Sequence, residues 1–211
     1  MRVRNNGQIN VVLKNDHSKK LEKPFISAPI PTREIPSHHI ALKEIEEELN
    51  ELVGMEEMKR VIKEIYAWIY VNKQREEAGL KTQKQALHMM FKGNPGTGKT
   101  TVARLIGKLF VKMNVLSKGH LIEAERADLV GEYIGHTAQK TRDLVKKAIG
   151  GILFVDEAYS LGRGGEKDFG KEAIDTLVKH MEDRQHEFIL ILAGYSQEMN
   201  VLFGNKHSGQ R

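Results

Sequence analysis

The strongest constraint on the fold of this chain is a glycine-rich stretch, FKGNPGTGKTT, at residues 91–101. The short apolar run ALHMMF leads into it, and TTVARLIGKLFVKM, in which apolar residues recur at helical spacing, follows from residue 100. The stretch fits the pattern G-x-x-x-x-G-K-[ST], whose glycines let backbone N–H groups surround phosphate oxygens. A strand before the loop and a helix after it are the context that this pattern requires, because the helix N-terminus adds positive potential. The sequence therefore predicts a phosphate-binding loop rather than a flexible surface turn.

The loop residues have separate expected roles in binding ATP and Mg²⁺. Lys99 is expected to reach the β- and γ-phosphates and so to take part in catalysis, and Thr100 is expected to place its hydroxyl on Mg²⁺. The residues expected to line the nucleotide are Gly93, Asn94, Pro95, Gly96, Thr97, Gly98, Lys99, Thr100 and Thr101.

A second, acidic element is expected where a buried strand ends. The segment GILFVDEAYS places Asp156 and Glu157 directly after the apolar residues 152–155. Ligands bind at the carboxyl ends of the strands in open parallel sheets, so both carboxylates are expected beside the loop. Asp156 is expected to hold Mg²⁺ through water, and Glu157 to polarise the attacking water as the second catalytic residue. The adjacent acids favour a hydrolase over a small-molecule kinase.

From residue 87 onward, short apolar runs alternate with helical stretches. The runs ALHMMF, HLIEAE, GILFVD and EFILILAG predict four strands, and a helical pattern lies between each successive pair. This alternation indicates an α/β fold with a mostly parallel sheet and helices on both faces. Upstream, GQINVVLKN predicts a short strand, and residues 37–80 predict two helices in which Tyr66 and Trp68 are expected to pack.

Composition and charge narrow the class of protein. The chain has no cysteine, which excludes disulfides and thiolate metal sites, and no apolar run of the ~18–20 residues that a membrane span needs. Most of the net charge of +5 comes from residues 1–40, which hold seven basic and three acidic side chains. The remainder is nearly neutral, which argues against nucleic acid as a partner. Because the N-terminus has no secretory signal, we expect a cytoplasmic protein.

These motifs together resemble those of the AAA+ ATPases, over roughly residues 52–195. LVGMEEMKR at residues 52–60 resembles the stretch that precedes the phosphate loop in this superfamily, and ADLVGEYIGHTAQKTRDLV resembles its pore-loop segment. Three further segments narrow the resemblance to the branch that contains red-type Rubisco activases and stage V sporulation protein K. They are GILFVDEAYSL, DFGKEAIDTLVKHMED and ILAGY. The resemblance to the sporulation member of this branch is the closer one. It implies a P-loop NTPase fold.

The resemblance implies a nucleotide-driven machine that works on a protein substrate. It implies a homo-oligomeric ring, usually a hexamer, in which ATP hydrolysis moves loops that grip the substrate in a central pore. By matched positions it implies that Val53 and Gly54 line the adenine pocket, that the pore loop holds Tyr133, Ile134 and Gly135, and that Tyr195 occupies the sensor position. Without the resemblance, Tyr133 fits a packing aromatic equally well.

The expected domain organisation follows from these assignments. Residues 1–36 are expected to form an N-terminal arm and proline-rich linker, and residues 37–80 a helical segment that leads into the ATPase. Residues 81–200 are expected to form the large ATPase subdomain, and residues 201–211 a divergent or truncated tail. The arginine-finger segment, the fifth strand and the helical lid of the branch have no counterpart after Tyr195, so we expect a fragment or a diverged C-terminus.

The leading functional interpretation is an ATP-hydrolysing remodeller of a protein partner, related to sporulation. A finger arginine contributes ~10³–10⁵-fold to turnover in related nucleotide hydrolases, so we expect the isolated chain to be weakly active. Two alternatives stay open: a nucleotide-dependent interaction module with little turnover, and a Rubisco-activase-like chaperone. A nucleic-acid motor fits the nearly neutral body of the chain least well.

Overall fold

A computed structural model describes the chain over residues 10–13, 40–50, 55–82, 85–133, 135–163 and 168–204. The strands are β1 (Asn10–Leu13), β2 (Met89–Lys92), β3 (Leu121–Ala124), β4 (Ile152–Val155) and β5 (Ile189–Gly194). The α-helices are α1 (Ile40–Asn50), α2 (Glu56–Glu77), α3 (Lys99–Lys112), α4 (Arg126–Leu129), α5 (His136–Ala148), α6 (Gly170–Asp183) and α7 (Ser196–Gly204). A 3₁₀ helix, Ala158–Gly162, follows β4.

The strands form one sheet in the order β1-β2-β5-β4-β3. β2, β5, β4 and β3 run parallel, and β1 pairs antiparallel with β2 at one edge. The predicted α/β fold with a mostly parallel sheet is confirmed, and each apolar run that predicted a strand overlaps one. The phosphate-loop strand β2 therefore lies next to β5, the last of the four parallel strands in sequence.

Both faces of the sheet are covered, because alternate residues of a strand point to opposite faces. In β4, Ile152 and Phe154 pack into a hydrophobic cluster with α1, α2 and α3. Leu153 and Val155 pack into a second cluster with α5 and α6. Burial on both faces explains why the segment GILFVD is almost wholly apolar, and it confirms the prediction of helices on both sides.

The two helices before the loop pack as their periodicity predicts. Met58, Ile62 and Ile65 of α2 are buried in the first cluster, and Tyr66 and Trp68 pack there too, as predicted. Among the described residues, no helix combines the length and apolar composition that a bilayer crossing requires.

Ion pairs align α1 along the helix that starts at the phosphate loop. Lys108 Nζ lies 2.7 Å from a Glu48 carboxylate oxygen, and Lys112 pairs with Glu44 one helical turn away. Leu49 of α1 is buried between the helices and the sheet. Exposed ion pairs contribute at most about 1 kcal/mol each, whereas burying a leucine side chain contributes about 1.5–3 kcal/mol. Apolar burial therefore holds α1 in place, and the ion pairs set its alignment.

Three short elements lie outside the sequence-based predictions. They are α4, the 3₁₀ helix after β4, and α7. A four-residue helix such as α4 is too short to show helical periodicity, although Glu125 and Asp128 form a capping box at its start. The helix α7 reaches Gly204 and so extends into the segment predicted as a tail. The predicted proline-rich linker, residues 24–36, and residues 205–211 lie outside the described residues.

A buried histidine ties the start of β2 to β5. His88 is 8% exposed, and its Nδ1 accepts a hydrogen bond from the Leu190 N–H at 3.0 Å. Its Nε2 lies 3.4 Å from the Met181 carbonyl oxygen. Nδ1 accepts a hydrogen bond only when it carries no proton, so this contact requires the neutral ring. Burial lowers the pKa of His88, the Met181 carbonyl opposes the shift, and nearby His186 adds to it.

Replacing His88 with alanine should reduce both the stability and its dependence on pH. The unpaired Leu190 N–H should cost about 1–3 kcal/mol in the free energy of unfolding. The pKa of His88 is lower in the folded chain than the ordinary 6.5, so the unfolded chain binds the proton more tightly and stability falls as the pH drops below 6.5. Urea unfolding at about pH 7.5 and about pH 5.5 should show a larger loss for the parent than for His88→Ala.

The exposed His136, at the start of α5, provides a matched control for this experiment. His136 is not among the groups that act on the pKa of His88, so the pH dependence of His136→Ala should follow that of the parent. An identical pH dependence in His88→Ala and in the parent would contradict the assigned role of His88.

Candidate nucleotide site

The phosphate loop connects β2 to α3 and depends on glycine at two positions. Gly96 has φ 71° and Gly98 has φ 80°, in the left-handed region that favours glycine. A Cβ atom at Gly98 would also lie 2.8 Å from Met55 Cε, so a larger residue lacks space there. The Thr97 hydroxyl donates a hydrogen bond to the Asn94 carbonyl at 2.9 Å and so braces the loop from within.

Lys99 is the first residue of α3 and is 8% exposed. Its Nζ donates hydrogen bonds to the carbonyl oxygens of Gly93, at 3.1 Å, and Asn94, at 2.9 Å. Burial lowers the pKa of Lys99, and the charge of the Asp156 carboxylate opposes that shift. A buried ammonium held by neutral carbonyls gains free energy from a nearby anion. Within the described part of the chain no side chain caps α3, and the first turn of α3 has no acidic residue, which also suits an anion.

The two predicted acids follow β4. Asp156 is half-buried, and its Oδ1 accepts a hydrogen bond from the Glu157 N–H at 2.8 Å. Glu157 is exposed and has φ 46° and ψ 39°, a left-handed conformation that costs a non-glycine residue about 1–3 kcal/mol. The Ser160 N–H donates to the Glu157 carbonyl at 2.7 Å and helps to hold this conformation. Strained backbone of this kind clusters at functional sites.

A single cleft of about 430 Å³ brings the predicted groups together. It is lined by Pro95, Gly96, Thr97, Gly98, Lys99, Thr100, Thr101, Asp156, Glu157, Gly194 and Tyr195. The Gly93 N–H donates to the Gly194 carbonyl at 3.1 Å, which fixes the start of the loop against the end of β5. The cleft therefore combines loop backbone, an ammonium, hydroxyls, two carboxylates and a phenol.

The predicted adenine-pocket residues, Val53 and Gly54, lie outside the described residues. Met55, which follows them, has φ 63° and immediately precedes α2. Its side chain contacts the phosphate loop at Gly98. The segment between α1 and α2 thus ends beside the loop, and Met55 is a contact that the sequence motifs did not single out.

The described members of the predicted pore loop, Tyr133 and Gly135, lie between α4 and α5 and do not line the nucleotide cleft. Tyr133 is 66% exposed, and its ring contacts His136 edge-on with the ring centroids 5.5 Å apart. Tyr133 is therefore not a core aromatic of this chain. Gly135 has φ 82° and precedes α5, and Ile134 lies outside the described residues.

Arg126 joins the helix before this loop to the segment after Glu157. Its Nη1 donates a hydrogen bond to the Ser160 carbonyl at 2.7 Å, and its Nη2 pairs with Asp168. Both Glu132 and Glu157 line a neighbouring cleft of about 530 Å³. Glu157 thus borders both clefts. Motif reasoning missed Arg126, because its partners are distant in sequence.

Comparison with known proteins identifies relatives of this chain. A family model described as "ATPase family associated with various cellular activities (AAA)" matches residues 89–202, more than half of the chain. Stage V sporulation protein K of Bacillus subtilis (strain 168) is 74% identical over 199 residues, which cover 93% of this chain and 62% of that protein. Protein CfxQ of Xanthobacter flavus is 48% identical over 158 residues, 74% of this chain and 50% of that protein.

A chloroplastic ribulose bisphosphate carboxylase/oxygenase activase, from Cyanidioschyzon merolae (strain NIES-3377 / 10D), is 45% identical over 164 residues, 77% of this chain and 56% of that protein. The predicted resemblance to the branch with these members is confirmed, with the higher identity to the sporulation protein. The chain spans 50–62% of the length of these relatives. The family match covers the whole segment from β2 through β5, including the phosphate loop and both acids, so this chain belongs to the AAA family of ATPases.

Proposed function

We propose that this chain binds ATP with Mg²⁺ in the cleft beside the phosphate loop and hydrolyses it. The observation that carries the proposal is that Lys99, Thr100, Asp156 and Glu157 line one cleft at the carboxyl ends of parallel strands. An ammonium, a hydroxyl and one carboxylate are the groups that a magnesium triphosphate requires. The second carboxylate is then available to activate water.

The oxygen donors of the cleft suit Mg²⁺, a hard cation that prefers oxygen ligands. The Thr100 hydroxyl and the Asp156 carboxylate line the same cleft, and we assign both to the metal, with Asp156 acting through water. When bound, Mg²⁺ neutralises negative charge on the phosphates.

In the proposed reaction, Lys99 and Glu157 have different catalytic roles. The Lys99 ammonium exchanges its neutral carbonyl partners for phosphate oxygens, because charge-assisted hydrogen bonds are about twice as strong as neutral ones. Glu157 accepts a proton from water while the water oxygen bonds to the γ-phosphorus and the bond to the β–γ bridging oxygen breaks, which yields ADP and phosphate. Tyr195, which we assign to the sensor position, lines the cleft directly after β5.

We further propose that turnover drives the remodelling of a protein partner by a homo-oligomeric ring, a hexamer in the full-length form. The exposure of Tyr133 supports its assignment, with Ile134 and Gly135, to a loop that grips a polypeptide. In this proposal residues 81–200 are the ATPase subdomain, residues 37–80 lead into it, and residues 1–36 are an arm. The name of the sporulation relative favours a role in sporulation, and we propose that the chain acts in the cytoplasm.

A chaperone similar to the Rubisco activases is the second candidate function. The relative named as an activase is 45% identical to this chain, against 74% for the sporulation protein, so we rank it second. A nucleotide-dependent interaction module with little turnover shares the binding cleft but not the hydrolytic role of Glu157.

Lys99→Ala should bind Mg-ATP more weakly while staying folded. Removing charge-assisted hydrogen bonds to phosphate should cost about 1.5–3 kcal/mol or more, which is roughly a 10- to 100-fold loss of affinity. Nucleotide titration by calorimetry checks the affinity, and circular dichroism checks the fold. Lys118→Ala, which removes an exposed lysine away from the cleft, should bind as the parent does. Parental affinity in folded Lys99→Ala would place the phosphates elsewhere.

Glu157→Gln should keep ATP binding and lose turnover, because the amide has the shape of the carboxylate but is no base. General-base catalysis contributes about 10²–10⁴-fold, and a loss of that size should appear in phosphate release from a single turnover. Asp156→Ala should instead weaken the Mg²⁺-dependent part of binding. Glu182→Gln, on an exposed residue of α6, is the control. A parental rate in Glu157→Gln would assign the activation of water to another group.

Tyr133→Ala should leave the melting temperature within about 1–2 °C of the parent, because exposed residues contribute little to stability. It should abolish the stimulation of ATP turnover by a permanently unfolded model protein, measured on the full-length form. Tyr133→Trp, which keeps an aromatic ring, should retain that stimulation. A drop of several degrees in Tyr133→Ala, or unchanged stimulation, would exclude the proposed role.

A further inference from the structure

Tyr159 is a buried residue that the function proposed above leaves without a role. It follows Glu157 by two positions, in the 3₁₀ helix after β4, and is only 4% exposed. Its ring stacks on that of Tyr195, with the centroids 5.5 Å apart and the planes at 29°. Tyr195 lines the nucleotide cleft. Tyr159 therefore connects the segment that carries Glu157 to the end of β5.

The end of β5 is shaped to admit the Tyr159 ring. A Cβ atom at Gly194 would lie 2.8 Å from Tyr159 Cδ1 and 2.9 Å from Met199 Sδ, so only glycine leaves room for both side chains. The Arg163 guanidinium lies over the Tyr159 ring, with its central carbon 4.5 Å from the centroid. Stacked aromatic pairs contribute about 0.5–1.5 kcal/mol beyond their buried area, and an exposed cation–π contact about 0.5–1 kcal/mol. The ring is thus fixed by contacts around it.

The Glu157 carboxylate acts electrostatically on the phenol of Tyr159. The pKa of Tyr159 is raised to about 12, first by burial and next by the negative charge of Glu157, and a hydrogen bond to that carboxylate adds a smaller contribution. A phenol at this pKa stays protonated at neutral pH and is available as a donor. The Glu157 backbone is already held by Asp156 and Ser160, so its carboxylate is the part that still needs orientation.

We propose that Tyr159 is a positioning residue for Glu157: its buried ring, held by Tyr195 and Gly194, directs its hydroxyl to the Glu157 carboxylate and orients that carboxylate for water activation. This inference rests on the proposed ATP hydrolysis. It also connects Tyr195, at the sensor position, to the activation of water by Glu157. Tyr195 acts on Glu157 through the stacked ring of Tyr159.

Tyr159→Phe is the primary test, because it removes the hydroxyl and keeps the stacked ring. Hydrolysis is measured with the chain in excess over radiolabelled ATP, so that each bound ATP turns over once. The rate of the chemical step should fall roughly 10- to 100-fold, as expected for a misplaced catalytic group, with the Kd for Mg-ATP unchanged. Tyr70→Phe removes a hydroxyl from the other stacked tyrosine pair, on α2, and should behave as the parent.

Variants of Tyr195 test whether this residue acts on Glu157 through the ring of Tyr159. Tyr195→Ala, which removes the stacking partner, should slow the chemical step as Tyr159→Phe does, and Tyr195→Phe, which keeps the ring, should slow it less than Tyr195→Ala does. A parental or faster rate in Tyr159→Phe, or an equal loss of nucleotide affinity and rate, would overturn the positioning role. Absence of hydrolysis in the parent itself would overturn the proposed function, and the positioning role with it.

A spectroscopic measurement tests the contact independently of turnover. The tyrosines are labelled with 3-fluorotyrosine, and the Tyr159 ¹⁹F resonance is assigned by its absence from Tyr159→Phe. Glu157→Gln removes the negative charge beside the phenol and should shift this resonance, whereas Glu182→Gln should not. An unchanged Tyr159 resonance in Glu157→Gln would overturn the inference even if ATP hydrolysis is confirmed.

Discussion

The parallel pairing of β5 with both β2 and β4 is the constraint on which the site depends. Because the three strands share one direction, the residues that follow each of them meet at the same edge of the sheet. The phosphate loop follows β2, the acids Asp156 and Glu157 follow β4, and Tyr195 follows β5. The hydrogen bond from the Gly93 N–H to the Gly194 carbonyl extends this pairing one residue past β2. Burial of the strands on both faces makes the alignment rigid.

At this edge of the sheet, two residues are held in an environment or a backbone conformation that an unfolded chain would avoid. Lys99 carries its charge in a buried position where its hydrogen-bond partners are neutral carbonyls. Glu157 has a left-handed backbone with hydrogen bonds to Asp156 and Ser160 on either side. Both arrangements cost free energy in the folded chain, which the two hydrophobic clusters offset. In the proposed function a phosphate anion relieves the first cost, and the left-handed turn after β4 carries a carboxylate that lines the cleft.

Sequence predicted what depends on local pattern. Apolar runs predicted the strands, helical spacing predicted the longer helices, and the order of strand, glycine-rich loop and helix predicted where Lys99 and Thr100 lie. The neighbours of β2 did not follow from sequence, because strand order depends on contacts between distant segments. Two other contacts did not follow from sequence for the same reason. They are the stacking of Tyr159 on Tyr195 and the hydrogen bond from Arg126 to the Ser160 carbonyl. The glycine at position 194 had no local explanation either, because the ring that fills its space comes from another element.

The central claim is that this one cleft holds the nucleotide. A crystal structure of the chain with Mg²⁺ and a slowly hydrolysed ATP analogue tests it most directly. The account predicts the phosphates on the loop at residues 93–101, with Lys99 Nζ moved from the Asn94 carbonyl to phosphate oxygens and Mg²⁺ beside Thr100 and Asp156. An analogue bound outside this cleft, or one bound in it while Lys99 keeps both loop carbonyls as its partners, would contradict the account.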